Sequence, residues 1–369
     1  MNRPLTRDQA RDYLVGHHGL RAPLGKGLPG IHTTLQRLRC IQLDPLDRIG
    51  TNADLVVLAR VDGAKRGDVH QLQPGRAFEH FAKERCLLPA SAFPYYRDQA
   101  AETPWWRSSE RMKRLPEGVL EKVLAEVEAH GPLSADALAD HGSVVPIDWS
   151  GWKGTAKAAT MALEVLWTRC KVVTAGRTAR TRIYDVPRRA LAEVHDHDTD
   201  LSFAEWALLE RIEAAGLLSV NAGAHWSMLS DVRTSDLPAS LVKRRKIVEV
   251  QIEGSPRRYL APKGFLDREY PEDDGRMRIL GPLDPLIWDR KLVQQVWGFD
   301  YVWEVYKPAH QRKWGWYVVP LLHRGHLVGR MDARVEGGEI VIDQRWVEDG
   351  QKLDERAFKA AIARAQTAL

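Results

Sequence analysis

One order of capping and turn signals constrains this chain most, because it occurs twice. From Glu117 to about Ala129, Val119, Leu120, Val123, Leu124 and Val127 recur at helical spacing, and Gly131-Pro132 ends the run. Ser134 is placed to cap a short helix over Ala135–Ala139, and a longer helix is expected over about Lys153 to Arg169, with Ala159, Ala162, Leu163, Leu166 and Trp167 turned inward. Lys171-Val172-Val173, the turn Ala175-Gly176-Arg177 and Arg182-Ile183-Tyr184 then read as a β-hairpin. The order returns between Phe203 and Lys263. A helix over Phe203–Ala215 stops at Gly216, helical pieces follow over Ser227–Asp231 and Leu237–Arg245, and Ile247–Ile252 pairs with Arg257–Leu260 around Glu253-Gly254-Ser255. Helix, short helix, longer helix and hairpin in that order form the winged-helix arrangement, whose third helix and hairpin commonly touch DNA.

The flanks follow a different grammar. Thr6 caps a helix over Arg7–His17, His32–Arg39 reads as another, and Ala53–Val61 is a further apolar stretch, a looser version of the same unit. After about Arg276 the signals become those of strands: Met277–Leu280, Tyr301–Tyr306, Trp316–Leu322, His326–Met331 and Glu339–Gln344, separated by Gly, Pro or charge and closed by a helix over Asp354–Leu369. The tryptophans crowded here (Trp288, Trp297, Trp303, Trp314, Trp316, Trp346) read as core packing. The expected fold class is α+β, with three tandem winged-helix units (1–115, 116–200 and 201–275) and a C-terminal antiparallel barrel with its helix (276–369).

Charge points to a polyanion. The net charge is only +5, yet Arg169 to Arg189 holds seven cations against one acid, Asp185, so the rest of the chain is close to neutral. A second cluster, Lys243-Arg244-Arg245-Lys246, lies in the equivalent part of the next unit. The expected DNA contacts are Arg177, Arg180, Arg182, Lys243, Arg244, Arg245 and Lys246. The start of the chain mixes charges, and apolar runs such as Leu55–Ala59 are too short to span a bilayer, so a cytoplasmic, nucleoid-associated protein is expected. Three widely spaced cysteines, Cys40, Cys86 and Cys170, argue against a disulfide framework or a zinc site.

Chemistry is concentrated in Cys40-Ile41-Gln42-Leu43-Asp44-Pro45. In a strand, Ile41 and Leu43 face the core while Gln42 and Asp44 project together into solvent or a cleft, where an amide beside a carboxylate holds and polarises a water. Pro45 favours extended backbone at Asp44. The bland reading is a strand edge, or an Asx-type turn of Asp44 at Pro45. Elsewhere the residues offer little. His195-Asp196-His197-Asp198 reads as a solvated linker, and His323 and His326 as surface residues around the turn at Arg324-Gly325. No phosphate loop or nucleophile elbow occurs, no lysine stands out as a Schiff-base nucleophile, and no cofactor or metal is expected.

The segment Leu38–Leu46 with Leu55–Arg60 resembles the YcaQ/AlkZ family of winged-helix DNA glycosylases. So do Phe81-Ala82-Lys83-Glu84-Arg85-Cys86-Leu87-Leu88-Pro89, Gly281-Pro282-Leu283-Asp284-Pro285-Leu286-Ile287-Trp288, Phe299-Asp300-Tyr301, Tyr306-Lys307-Pro308-Ala309, Gly315–Pro320 and Leu327–Asp332. The resemblance spans nearly the whole chain and implies three winged-helix units around a basic channel plus a C-terminal β-barrel. It makes Gln42 and Asp44 the catalytic pair, and Gln42-Leu43-Asp44 places the chain with the YcaQ-type Gln-x-Asp branch. One position departs from the family pattern: Lys83 stands before Glu84 where a histidine is expected. The implied activity is monofunctional hydrolysis of the N-glycosidic bond of N7-alkylated guanine in base excision repair, with interstrand crosslinks as a further substrate. The implied partner is double-stranded DNA carrying alkylated guanine; the repeated-unit architecture does not demand a dimer, and a monomer is expected. The basic hairpins fit equally a non-enzymatic winged-helix transcriptional regulator or an architectural DNA-binding protein, neither of which needs Gln42 and Asp44 on one side.

Overall fold

Helix signals near the N-terminus set the first part of the fold. Thr6 and Gln9 form a reciprocal capping box that starts helix Arg7–His17, and Thr51 with Asp54 does the same for helix Asn52–Leu58. The computed structural model describes residues 4–102, 108–147, 154–178 and 181–368. These mix helix and strand and group into two compact units.

The first unit comprises residues 1–69, 81–86 and 207–369. Helices Arg7–His17, Gly27–Leu38 and Asn52–Leu58 open it, the short strand Ile41–Gln42 lying between the second and third. Helix Phe203–Ala215, most of which belongs here, stops where Gly216 takes a left-handed φ of 69°; a Cβ at Gly216 would stand 2.8 Å from the His17 ring, so neither backbone nor space admits another residue. Helix Leu237–Lys243 leads into an antiparallel sheet ordered Ile247–Gln251, Arg258–Pro262, Leu218–Ser219. The helical piece expected over Ser227–Asp231 is instead a single turn at Ala224–Trp226 and a short helix Ser230–Thr234.

The C-terminal strands Arg278–Ile279, Val318–His323, His326–Glu336 and Glu339–Val347 pair antiparallel in that order. The first and last are edges, and the described residues show no closed barrel. Helix Glu355–Gln366, capped by Asp354, buries Phe358, Ala361 and Ala365 in the same core as Val319, Leu321 and Met331. Two expectations fail here for identifiable reasons. Tyr301–Tyr306 is irregular chain that ends in a turn, where the Glu304 carbonyl accepts from the Lys307 N–H at 2.9 Å; Tyr301 Oη donates to the Val318 carbonyl at 2.6 Å, and the Glu304 carboxylate accepts from the N–H groups of Lys313 and Trp314. His323 is buried rather than on the surface, its Nε2 standing 3.1 Å from the Gly275 carbonyl oxygen.

The second unit comprises residues 70–80 and 87–206. Helices Val119–His130 and Ala158–Thr168 pack against each other, and the first also meets a three-stranded sheet ordered Leu133–Ser134, Thr181–Asp185, Val173–Thr178. The short helix expected after Ser134 does not form. Ser134 pairs with Ile183 in the sheet, and Ala135–Ala139 is turn, its end held by the Glu126 carboxylate accepting from the Ala139 N–H. Five residues gain too few helical bonds to offset nucleation against such pairing. Aromatic rings pack within the unit: Phe78 meets Phe93 and Tyr96 edge-on, His80 stacks on Trp167, and half-buried Tyr95 lies flat on half-buried Trp206 with centroids 4.4 Å apart.

Candidate active site

Gln42 and Asp44 sit at the end of a very short strand in the first unit. Only Ile41 and Gln42 are extended strand, and the Leu43 N–H closes the pairing on the Arg85 carbonyl at 2.9 Å. Ile41 is fully buried, as expected, but Gln42 is also buried at 6% exposure, while Leu43 and Asp44 are both half-buried. The simple in–out alternation breaks because pairing stops at Leu43 and Pro45 has no N–H to extend it. Asp44 instead turns: its carboxylate accepts from the Leu46 N–H at 3.0 Å, an Asx-type bond that reverses the chain.

A buried asparagine fixes this segment from behind. Asn52, at the start of helix Asn52–Leu58, donates from Nδ2 to the Gln42 carbonyl at 2.9 Å, and its Oδ1 accepts from the Leu283 N–H at 2.9 Å. It is completely buried. The Gly281-Pro282-Leu283-Asp284 loop lies so close that a Cβ on Gly281 would come within 2.5 Å of Asn52 Oδ1. The same loop is locked by Asp284, which binds Arg60 in a fully buried bidentate pair of 2.7 and 2.9 Å. Arg60 also donates to the carbonyls of His18 and Val56, which occupies the guanidinium that burial would otherwise penalise.

A lysine addresses the site from the front. Strands Ala77–Phe81 and Arg85–Pro89 form a hairpin whose tip, residues 81–86, counts with the first unit. Glu84 takes a left-handed φ of 63° in that tip. The tight reversal presents Lys83, whose Nζ donates to Gln42 Oε1 at 2.7 Å and stands 5.0 Å from the centre of the Trp288 ring. An ammonium has only donors, so it must meet the oxygen end of the amide, and the Nε2–H groups of Gln42 are left to donate elsewhere. Sequence reading noticed Lys83 only as a departure from a pattern. Forty-one residues separate it from Gln42, and no local signal announces the contact.

These neighbours set the protonation of the site. Burial raises the Asp44 carboxyl above the ordinary aspartate range, while the Leu46 N–H and the Lys83 cation hold it back down. Burial lowers the Lys83 ammonium from its usual value; negative charge on Cys86 opposes that shift and the Arg290 cation adds to it. Tyr317 is buried with its Oη unpartnered among the described residues; burial and then the charge of Asp44 keep its phenol protonated. Cys40 and Cys86, which adjoin these two segments, are buried free thiols.

The expected DNA contacts divide. Arg177 donates to the Glu79 carboxylate at 2.6 and 3.2 Å, and Arg182 lies 3.9 Å from the same carboxylate, so both are engaged within the second unit by a fully buried acid. Arg189 of the same charge cluster caps helix Val119–His130 through the carbonyls of Val127 and Glu128. Arg180 lies outside the described residues. Lys243, Arg244, Arg245 and Lys246 are all exposed, on the turn that joins helix Leu237–Lys243 to strand Ile247–Gln251.

A family model described as DNA glycosylase AlkZ-like matches residues 35–368. The chain belongs to that family. It is a DNA glycosylase, a repair enzyme acting on DNA. Its fold is similar to that of Streptomyces sahachiroi DNA glycosylase AlkZ, with a TM-score of 0.61 and 14% sequence identity over 99% of this chain and 97% of that one. At that identity the likeness is one of fold. Among the described residues of this glycosylase, no helix is long and apolar enough to cross a membrane.

Proposed function

We propose that this glycosylase hydrolyses the N-glycosidic bond of N7-alkylated guanine, with Gln42 and Asp44 as its catalytic residues, and that adducts bridging two strands are also substrates. The observation that carries the reading is the treatment of one short segment: its backbone is clamped by buried Asn52, its amide is oriented by Lys83, and its carboxylate is half-buried beside them. Alkylation at N7 makes guanine cationic and already a good leaving group, so the site has no need of a strong general acid. What the reaction does need is a negative charge beside the deoxyribose as the bond breaks, and a water aimed at the anomeric carbon. With Oε1 held by Lys83, Gln42 donates from Nε2 to that water's oxygen, while ionised Asp44 stabilises the oxocarbenium-like sugar and accepts the water's proton. An abasic site and the free base result.

The helix–hairpin sets of residues 1–115, 116–200 and 201–275 are read as winged-helix units that grip double-stranded DNA, with Lys243, Arg244, Arg245 and Lys246 facing phosphates and the protein acting as a monomer. Incubation with duplex DNA carrying N7-methylguanine, followed by chromatography of the supernatant, tests the proposal. Free N7-methylguanine is expected at many turnovers. A protein that retards the DNA but releases no base is the regulator or architectural protein instead.

A further inference from the structure

We propose that Lys83 gives this enzyme a second activity, on the product of the first: its amine attacks the ring-opened abasic sugar as a Schiff-base nucleophile and cleaves the strand by β-elimination. The inference rests on the assignment of Gln42 and Asp44 as the groups that face the sugar, and it goes beyond the monofunctional reaction expected from the sequence. Lys83 Nζ lies 2.7 Å from Gln42 Oε1, so the amide that aims water at the anomeric carbon has an amine within one hydrogen bond of it. That carbon becomes the aldehyde carbon when the abasic deoxyribose opens. The lysine sits at the tip of a hairpin, half-buried, hydrogen-bonded to a neutral amide oxygen and facing the Trp288 ring, with the Asp44 and Glu84 carboxylates coupled to it through their charge and not by a contact ion pair among the described residues. Burial, with the Arg290 cation, makes the ammonium lose its proton more readily than usual against the opposing charges of Cys86 and Glu84.

The chemistry balances with the groups in place. Neutral Nζ adds to the C1′ aldehyde, a proton from solvent lets the carbinolamine hydroxyl leave as water, and a protonated imine forms. The Asp44 carboxylate takes a proton from C2′, the C3′–O bond breaks, and its electron pair leaves with the 3′ phosphate. Water then hydrolyses the imine, which returns the amine and frees the unsaturated aldehyde. Neither oxidant nor reductant is required.

The test uses the full chain and a duplex carrying one preformed abasic site, so that base release is not needed. Sodium borohydride reduces an imine to a stable amine, and the covalent protein–DNA adduct is then digested and the modified peptide sequenced by mass spectrometry. An adduct on Lys83, with strand cleavage in its absence of borohydride and without alkali, is expected. Lys83→Arg keeps the cation but not the nucleophile, and its adduct should fall to the level of protein-free DNA while it still binds the duplex. No adduct with the wild-type chain, or an adduct mapped to another amine, overturns the proposal. Release of N7-methylguanine is measured in parallel: release without an adduct overturns the second activity alone, and an adduct on Lys83 without release upholds it while removing the alkylguanine assignment.

Discussion

Replacing Asn52 by aspartate should make the stability of the first unit depend on pH in a direction that asparagine cannot. Asn52 is fully buried, donating to the Gln42 carbonyl at 2.9 Å and reaching the Leu283 carbonyl at 3.5 Å. In Asn52→Asp an oxygen faces those two carbonyls. The carboxyl can donate to one of them only when protonated, and an ionised one repels both, so its folded-state pKa lies above the unfolded value of about 3.9. A group raised on folding contributes stability below the unfolded pKa and loses it as pH rises toward the folded one. The loss is about 1.4 kcal/mol per pH unit, which bounds the cost at roughly 1.5 kcal/mol at pH 5 and about 4 kcal/mol at pH 7. Asn52→Ala, by contrast, strands the Gln42 carbonyl and the Leu283 N–H at about 1–3 kcal/mol each, with no such pH dependence. Urea unfolding at pH 5 and pH 7 measures both, and base release at the same pH values shows whether Gln42 has moved. Equal stability of Asn52→Asp at the two pH values, or an Asn52→Ala cost below about 1 kcal/mol, would refute the clamp.

Lys83→Met should slow base release by about 10- to 150-fold, the equivalent of the 1.5–3 kcal/mol carried by a hydrogen bond to a charged group. Because ionised Asp44 is required, kcat/KM falls as pH drops through its raised pKa; removing the cation that holds that pKa down should move the acid limb to higher pH, and Lys83→Arg should restore it. A pH–rate profile reads both effects, and an unmoved limb would mean that Lys83 does not act on Asp44. The double variant Lys243→Ser, Lys246→Ser should weaken binding equally across DNA sequences and make the slope of log K against log salt shallower by about two. An unchanged slope in a salt titration would take that turn off the DNA.

Local signals in the sequence were legible wherever the chain decides its own conformation. Thr6, Asp354 and Gly216 bound their helices because caps and left-handed glycine act within four residues. What could not be read were the outcomes of competition with distant groups. Ser134 is a good cap, yet Ile183 claims it for a sheet. Tyr301–Tyr306 is apolar and aromatic like a strand, yet its backbone turns and joins no ladder, and its polar side chains bond to Val318 and to the Lys313-Trp314 backbone. The basic hairpin suggested free cations, but the fully buried Glu79 binds Arg177 and lies near Arg182 from about a hundred residues away. The candidate site shows the same division. Gln42 and Asp44 were visible as a pair, Asp44 also makes the Asx turn that was its bland alternative, and Asn52 and Lys83 emerge only once the fold brings them in.

The most direct test is Asp44→Asn, assayed in a single turnover for release of N7-methylguanine from duplex DNA. The substitution keeps the shape and the capacity to accept from the Leu46 N–H but removes the charge and the base. Release should fall by about 10²–10⁴-fold with DNA affinity equal to or tighter than that of the unaltered chain. Release at the unaltered rate would contradict the assignment of Asp44, and with it the proposed mechanism.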